Sequence, residues 1–565
     1  MNRRGFLFGL TNLFFSGLII GCGSERGTTS HSFIPSKDTE EIIIRNGTIY
    51  IDAERKVDSL LVRNGSVEKL NARIDDYPDA AEIDLKGAAV YPGFSDSHVH
   101  LLETGYFLNS GVNLSKAANA DEIVKVLEEK VETVPEDGIV FGAGFSLRDY
   151  DKWSLQDLQK IDEVTGSRLT FLADKLGHNA IINTALITRA GLTPETEIPL
   201  GGKMGIEDGR LTGMLRESAL TLPWNEFSKR FDTQDIKKGT LAMANKWASM
   251  GYTSIVDLMG GPGVSFMRPE VFYEIEQEGR LPLRVNYCYT IFNLSDVDKA
   301  AAYRGKDTDL VRFTGPKIFV DGAFAGGQAW TSWENQQGNH GLQEIYTDDT
   351  GGPELNLNLI VAKVEEYGMN MHYHAQGDLA INAVLDALEK VRSKKGTIKG
   401  IHTLIHLAYV TDEQIERIRS FNGQVVTTVQ PGFWPVESDT SYYYGDRANQ
   451  AYPIKKLFDS GISVGISTDF SVSPIEYSPA LKVINVATTG GGDPAIHIPI
   501  SMKEAITGLT VGSAKTTGKT DVGTLEIGKK ADFVIIDKDI FFSEEGANVL
   551  ATYVSGKASW KASGE

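Results

Sequence analysis

The chain is poor in cysteine, in basic residues and in long apolar runs, and each shortage closes off a class of protein. Two cysteines, Cys22 and Cys288, in 565 residues cannot staple a disulfide scaffold. Lys and Arg number 56 against 75 Asp and Glu, a formal net charge of −19. That balance argues against nucleic acid, which rewards clustered cations. The apolar run at the start, 16 residues from Gly5 to Ile20, is shorter than the roughly 20 that a membrane-spanning helix needs. What is there, 41% hydrophobic and 23% charged residues, describes a globular chain with a large core and more than one domain.

The first residues, "MNRRGFLFGLTNLFFSGLIIGC", read as a targeting segment: Arg3 and Arg4, then the apolar run. "RRGFL" resembles a twin-arginine export signal, and "IIGC" resembles a lipoprotein signal-peptidase box that would make Cys22 the lipidated first residue. The expected location is therefore exported and membrane-anchored, at the periplasmic face or surface of a bacterium. A signal peptide over 1–21 and a Ser-, Thr- and Gly-rich tether over 22–40 follow from this reading. With Cys22 committed to lipid no internal disulfide remains, and Cys288, in the apolar run "LRVNYCYT", is expected to be buried filler.

"EIIIRNGTIYID" and "SLLVRNGSVEKL" are strand-type runs broken by Asn-Gly, the pair that tight hairpins favour. The end of the chain repeats the style in "GTLEIGKKADFVIIDKD" and "NVLATYVSGKASWKA". One β-sandwich built from 41–91 and 523–565 is expected. Between them, "YTSIVDLMG", "LRVNYCYT", "GPKIFVDGA", "GMNMHYHA", "IHTLIHLA", "GQVVTTVQP" and "GISVGISTD" alternate with helix-like stretches. With the strand that ends at His98 they make eight βα units, so a (β/α)8 barrel over 92–101 and 226–522 is expected. Residues 102–225, with the amphipathic stretch "DEIVKVLEEKVETV", exceed what a barrel needs and read as an inserted subdomain over its mouth.

Only ten histidines are present, yet His98 and His100 stand one residue apart at the end of an apolar run. On a strand, residues i and i+2 share a face, so the two imidazoles converge in a chelating arrangement. Lys317, His374, His406 and Asp469 sit within or just after other apolar runs, at the strand ends where barrels keep their chemistry.

This ordered set resembles the amidohydrolase superfamily, and the words around it resemble its amidohydrolase family 3 (YtcJ-like) branch. "PGFSDSHVHL", "PKIFVDG", "HAQGDLAI", "LIHLAYVTDEQI", "STDFSVSP" and "GTLEIGKKADFVIID" carry the resemblance over nearly all of the mature chain. It implies two divalent metal ions: one on His98, His100 and Asp469, the other on His374 and His406. Lys317 would be carboxylated by carbon dioxide to a carbamate that bridges them. Zinc is the expected metal for these donors, and manganese, iron and nickel remain open.

The implied reaction is hydrolysis of an amide-like C–N bond, other than a peptide bond, by a metal-bound hydroxide, with Asp469 moving the proton. The expected partner is a small amide-like molecule, and homo-oligomerisation is left open. His178, Asn183 and Glu217 fall in words resembling the branch's own insert, which implies a place near the substrate, beside a purely structural role in the insert's loops. Phe145, Ser146, Gln376 and Thr468 depart from the branch's usual residues, and Phe324, Trp330, Phe433 and Trp434 are candidates for an apolar pocket. His372 stands as a competing ligand and His402 is expected deeper in the barrel. A mononuclear deaminase and a ligand-binding lipoprotein without catalysis are the rival readings; Lys317 argues against the first and the full ligand set against the second.

Overall fold

The computed structural model describes residues 33, 35–36, 40–147, 150–175, 177–259, 268–435, 440–542 and 545–562. The export signal, Cys22 and most of the proposed tether lie outside the described residues. Among the described residues no helix is long and apolar enough to cross a membrane.

Eight parallel strands form the central sheet: β1 (Phe94–Val99), β2 (Tyr252–Asp257), β3 (Arg284–Thr290), β4 (Val311–Phe319), β5 (Met371–Ala375), β6 (His402–His406), β7 (Val425–Val429) and β8 (Val464–Ile466). Each pairs with the next, and nearly every strand residue is buried, as in sheets covered on both faces. Closure is made just past β1 and β8, where the Asp469 amide donates to the His98 carbonyl and the His100 amide to the Phe470 carbonyl, both at 2.8 Å. The sheet is thus the expected (β/α)8 barrel, and its closing seam holds three of the proposed ligands.

Both ends of the chain enter one other sheet. Phe533–Ile536 pairs antiparallel with Ala89–Pro92, which continues into Glu41–Tyr50 and Lys56–Arg63. Ile44, Leu60, Val90, Phe533, Ile535 and Tyr553 share its core, and the Phe533 and Tyr553 rings stack at 4.4 Å. The two Asn-Gly pairs behave differently. Asn64-Gly65 turns the hairpin between Lys56–Arg63 and Ser66–Leu70, as expected. Asn46-Gly47 lies inside the strand Glu41–Tyr50, at a register shift between Arg45 and Ile49. A Cβ on Gly47 would stand 2.2 Å from the Ala88 carbonyl oxygen, so close packing fixes this glycine.

Arg284 on β3 ties this sheet to the barrel. Its Nε and Nη2 reach Asp532 at 2.6 and 3.0 Å, with both side chains almost fully buried.

The segment between β1 and β2 carries a six-stranded sheet, from Val112–Asn113 to Arg210–Arg216, with the helices Ala120–Val131 and Leu155–Thr165. Asn119 caps the first helix and Ser154 forms a capping box on the second. The helices on either side of this segment, Leu101–Ser110 and Thr233–Ser249, cross at Gly105 and Gly239. A Cβ on Gly239 would lie 2.1 Å from the Gly105 carbonyl oxygen. Two glycines therefore bring the ends of a long excursion back together over the first barrel strands.

Candidate metal centre

Strand alternation sends His98 and His100 from the end of β1 to one side, where their Nε2 atoms stand 3.3 Å apart. Asp469 arrives from the other side of the seam. Its Oδ1 lies 3.1 Å from His98 Nε2 and 3.2 Å from His100 Nε2, yet makes no hydrogen bond among the described residues. A buried carboxylate oxygen between two imidazole nitrogens without a proton bridge is the donor arrangement a cation satisfies. Asp469 (φ 52°) and His406 (φ 79°) both hold left-handed backbone, which costs about 1–3 kcal/mol per non-glycine residue and clusters at functional sites.

His406, the last residue of β6, donates from Nδ1 to Gln430 Oε1 at 2.8 Å. Because an amide oxygen only accepts, the proton is on Nδ1 and Nε2 carries the lone pair. Possible ligand atoms of His98, His406 and Asp469 all lie within 4.8 Å of one another. This group takes one histidine from each of the two sets implied above, together with Asp469 of the first set. His374 at the end of β5 stacks edge-on to His406 at 4.6 Å, while its Nε2 lies 3.3 Å from the Gly322 carbonyl.

Lys317 on β4 is 1% exposed, makes no ion pair among the described residues, and holds Nζ 4.3 Å over the Phe319 ring. Burial pulls its pKa down to about 8, against opposing pulls from Asp469 and other acids. All six side chains line one cavity of about 70 Å³, with His178, Phe324, Gln376 and Phe433 also on its walls. Of the other pocket candidates, Trp330 is half-buried outside this lining, and Trp434 stacks on His497 at 5.1 Å.

The electrostatics favour ligation. Burial, reinforced by Lys317 and neighbouring histidines, keeps His98 and His374 well below the usual histidine range; burial likewise lowers His100, and brings His406 to about 4. All four imidazoles are therefore neutral near pH 7 and have lone pairs to give. For Asp469, burial raises the carboxyl, but His100, His406 and Lys317 together hold it below its usual value.

The insert residues separate. His178 lines the cavity, and its Nδ1 lies 2.6 Å from Glu217 Oε2. Burial lowers its pKa, but the Glu217 charge outweighs that and raises it. Asn183 does not reach the cavity. Its amide donates to Thr165 Oγ1 and the Arg168 carbonyl and accepts from the Thr170 and Leu186 amides, capping the helix Thr184–Arg189. Of the two roles open to it from the sequence, the structure gives Asn183 that of holding the insert's loops.

His402 lies deep, with Nε2 donating to Glu365 and Nδ1 accepting from the Tyr373 hydroxyl, both at 2.8 Å. His372 is fully buried with neither nitrogen hydrogen-bonded among the described residues, and is not in the cavity lining. Cys288 is a buried free thiol, as expected.

Sequence reading overlooked four polar residues that support the centre. Asp96 accepts from the Thr468 hydroxyl at 2.6 Å and Trp247 Nε1 at 3.0 Å, fixing β1 against the Asp469 turn. Asp257 takes the Leu102 and Met259 amides, and Asp321 takes those of Trp330, Gln376 and Gly377. Gln430 is the fourth. Asp257 ends β2, and Asp321 and Gln430 lie just past β4 and β7, so position at a strand end was a signal for these three; Asp96, inside β1, had none. Burial raises Asp96 to about 6 and Asp257 and Asp321 to about 7, against the amides that hold them.

The residues present fit a divalent cation: neutral imidazoles, an unbonded carboxylate oxygen and a lowered lysine in one buried cavity. Comparison with known proteins points the same way. The family model described as "Amidohydrolase family" matches residues 81–559. The chain is 26% identical to the putative amidohydrolase YtcJ of Bacillus subtilis (strain 168), over 88% of this chain and 92% of that protein. It is 24% identical to an N-substituted formamide deformylase of Arthrobacter pascens, over 86% and 91%. A crystal structure of an uncharacterized metal-dependent hydrolase from Pyrococcus furiosus superposes with a TM-score of 0.68 at 25% identity, covering 89% of this chain and all of that one.

Proposed function

The chain belongs to the amidohydrolase family and is a metal-dependent hydrolase, and from that premise we propose that it hydrolyses an amide-like C–N bond other than a peptide bond. The observation that carries this reading is the convergence of Asp469 Oδ1 with His98 and His100 in a cavity also lined by Lys317, His374 and His406. His98, His100 and Asp469 would hold one divalent ion and His374 and His406 a second, with Lys317 as a carbamate between them; zinc suits the donor set. The bound metal supplies Lewis acidity and a water of lowered pKa.

The remaining roles belong to the chain. Lowered by burial to about 8, the Lys317 pKa leaves far more of the amine in the neutral form that attacks carbon dioxide than an ordinary lysine has near pH 7.5. Asp469, whose Oδ1 faces His98 and His100 at the closing seam, uses its other oxygen, Oδ2, to take the proton of the attacking water and return it to the leaving nitrogen. Phe324 and Phe433 keep bulk water from the cavity and contact the apolar part of the substrate. The amide relatives favour a C–N bond as the target, with N-substituted formamides as the first class to test.

The test is a hydrolysis screen of the metal-loaded protein against amide and ester libraries, with Asp469→Asn as control. Turnover of amides by the wild type and its loss in the variant are expected, whereas ester turnover alone would refute the bond assignment. About one metal per chain, rather than two, would favour the mononuclear deaminase reading. Export and lipid attachment at Cys22 are proposed on the N-terminal sequence: fatty-acid label should enter the wild type and not Cys22→Ser.

A further inference from the structure

A second cavity, of about 540 Å³, lies on the other side of Phe319, between the inserted segment and the ends of β3 and β4. Phe319 lines both cavities and is their shared wall. Trp224, Tyr289, Phe292, Ile345 and Leu355 give the larger one an aromatic and aliphatic interior.

Most of its polar groups are already committed. Ser218 donates to the Leu200 carbonyl, Thr221 to the Ser218 carbonyl and Thr290 to the Met259 carbonyl. Asp296 pairs with Lys299 at 2.8 Å and accepts the Phe292 amide. The exception is Glu344, whose Oε1 is buried without a hydrogen-bond partner among the described residues. Gly201 allows the loop above to close on this carboxyl: a Cβ there would stand 3.0 Å from Glu344 Oε2.

A carboxyl with one buried, unpartnered oxygen in an aromatic-walled cavity has the charge and the surfaces that suit an organic cation. We propose that this cavity binds an organic ammonium group carried on an apolar arm, with Glu344 as its counter-ion and Trp224 and Tyr289 as its walls. On the hydrolase reading above, on which this assignment to substrate rests, the substrate is an amide whose arm ends in an amine held beyond Phe319. Burial, together with the Glu217 and Asp321 carboxylates, keeps the Glu344 carboxyl well above its usual value. A cation entering the cavity favours the ionised form of Glu344, whereas a neutral guest leaves the acid protonated.

Calorimetry on the intact metal-containing protein, with benzylamine and benzyl alcohol as probes and no substrate present, tests the site. The amine should bind about tenfold more tightly than the alcohol, the factor that one charge-assisted contact gives. Glu344→Gln, if folded by circular dichroism, should bring the two within about twofold. Equal binding in the wild type, no binding of either probe, or an amine preference that survives in folded Glu344→Gln would overturn the proposal. If that variant does not fold, Lys299→Ala is read instead. It frees Asp296 at the same cavity and should tighten amine binding, and unchanged or weaker binding would refute the assignment. Binding is read without turnover, so failure here leaves the hydrolysis reading standing, and failed hydrolysis leaves the amine site standing.

Discussion

Replacing Gln430 with leucine tests whether the centre depends on a hydrogen-bond chain that never touches substrate. Gln430 is fully buried; its Oε1 accepts from His406 Nδ1 at 2.8 Å and its Nε2 donates to Ser467 Oγ at 2.8 Å. The chain continues from Thr428 Oγ1 to Ser467 Oγ at 3.3 Å and ends with Ser97 Oγ 2.5 Å from Thr428 Oγ1, so it crosses β7, β8 and β1. Leucine is close to glutamine in size but leaves the His406 Nδ1–H without an acceptor, a loss of about 1–3 kcal/mol for a buried donor. The imidazole can then turn or change tautomer, and loss of such an outer partner lowers metal affinity by about 10–100-fold.

Gln430→Glu supplies the control. Its carboxylate still accepts from His406, and the Ser467 hydroxyl can rotate to donate to it. Metal affinity, measured by competition with a fluorescent chelator, should fall in Gln430→Leu and stay within about threefold of wild type in Gln430→Glu. If the leucine variant keeps wild-type affinity, or the glutamate variant loses as much as leucine, orientation through Gln430 is not what prepares His406.

Lys317→Ala should release at least one metal and abolish turnover while leaving the fold intact by circular dichroism, and added acetate should restore part of the activity; full metal occupancy without rescue would refute a bridging lysine. Asp532→Ala leaves the Arg284 guanidinium, only 2% exposed, with the exposed Asp309 carboxylate at 3.7 Å as its remaining counter-charge, and should destabilise the protein by about 3 kcal/mol in urea unfolding. The double variant Arg284→Met with Asp532→Leu should lose less, because no charge is then left unpaired. For Glu365, burial raises the carboxyl but the His402 hydrogen bond and the Gly400 and Lys399 amides outweigh it, leaving the pKa lowered in the fold. Its stabilisation is present above the ordinary value of 4.5 and is lost as pH falls through the lowered one, so Glu365→Gln should be less stable at pH 7 and flatten the acid limb of a melting-temperature profile.

The barrel was legible because its strands are buried on both faces, and such strands appear as unbroken apolar runs with polar residues only at their ends. All eight runs became strands, and the (β/α)8 barrel with a sheet drawn from both termini stands as expected. The Asn46-Gly47 bulge was not legible, since both asparagines take left-handed backbone; the pairs differ at glycine, where Gly65 is left-handed in its turn and Gly47 is instead packed against the Ala88 carbonyl. Asn183 shows the limit of motif words: its position in the insert was recognisable, but its side chain is spent on a helix cap. Asp96, Asp257, Asp321 and Gln430 were hidden for a related reason. Their partners lie on other strands, on helices or in loops, from a few to several hundred positions along the chain, which a strand pattern does not encode.

The two histidines of β6 show what separates a structural polar residue from a functional one in this barrel. His402 and His406 lie four residues apart on one strand, and both are buried. At His402 every polar atom is accounted for: Nε2–H meets Glu365, Nδ1 meets the Tyr373 hydroxyl, and Glu365 is completed by two backbone amides. At His406, Nδ1 is satisfied by Gln430, and the strand ends in left-handed backbone beside Asp469, which has the same backbone hand and an Oδ1 without a hydrogen bond among the described residues. A folded interior rarely leaves buried polar atoms without partners, so a seam that gathers His98 Nδ1, His100 Nδ1 and Asp469 Oδ1 around one cavity is shaped to receive something the polypeptide does not itself supply. Neutral nitrogen lone pairs facing a carboxylate oxygen identify that missing group as a cation, and a lysine whose pKa burial has lowered repels such a group less than an ordinary lysine does.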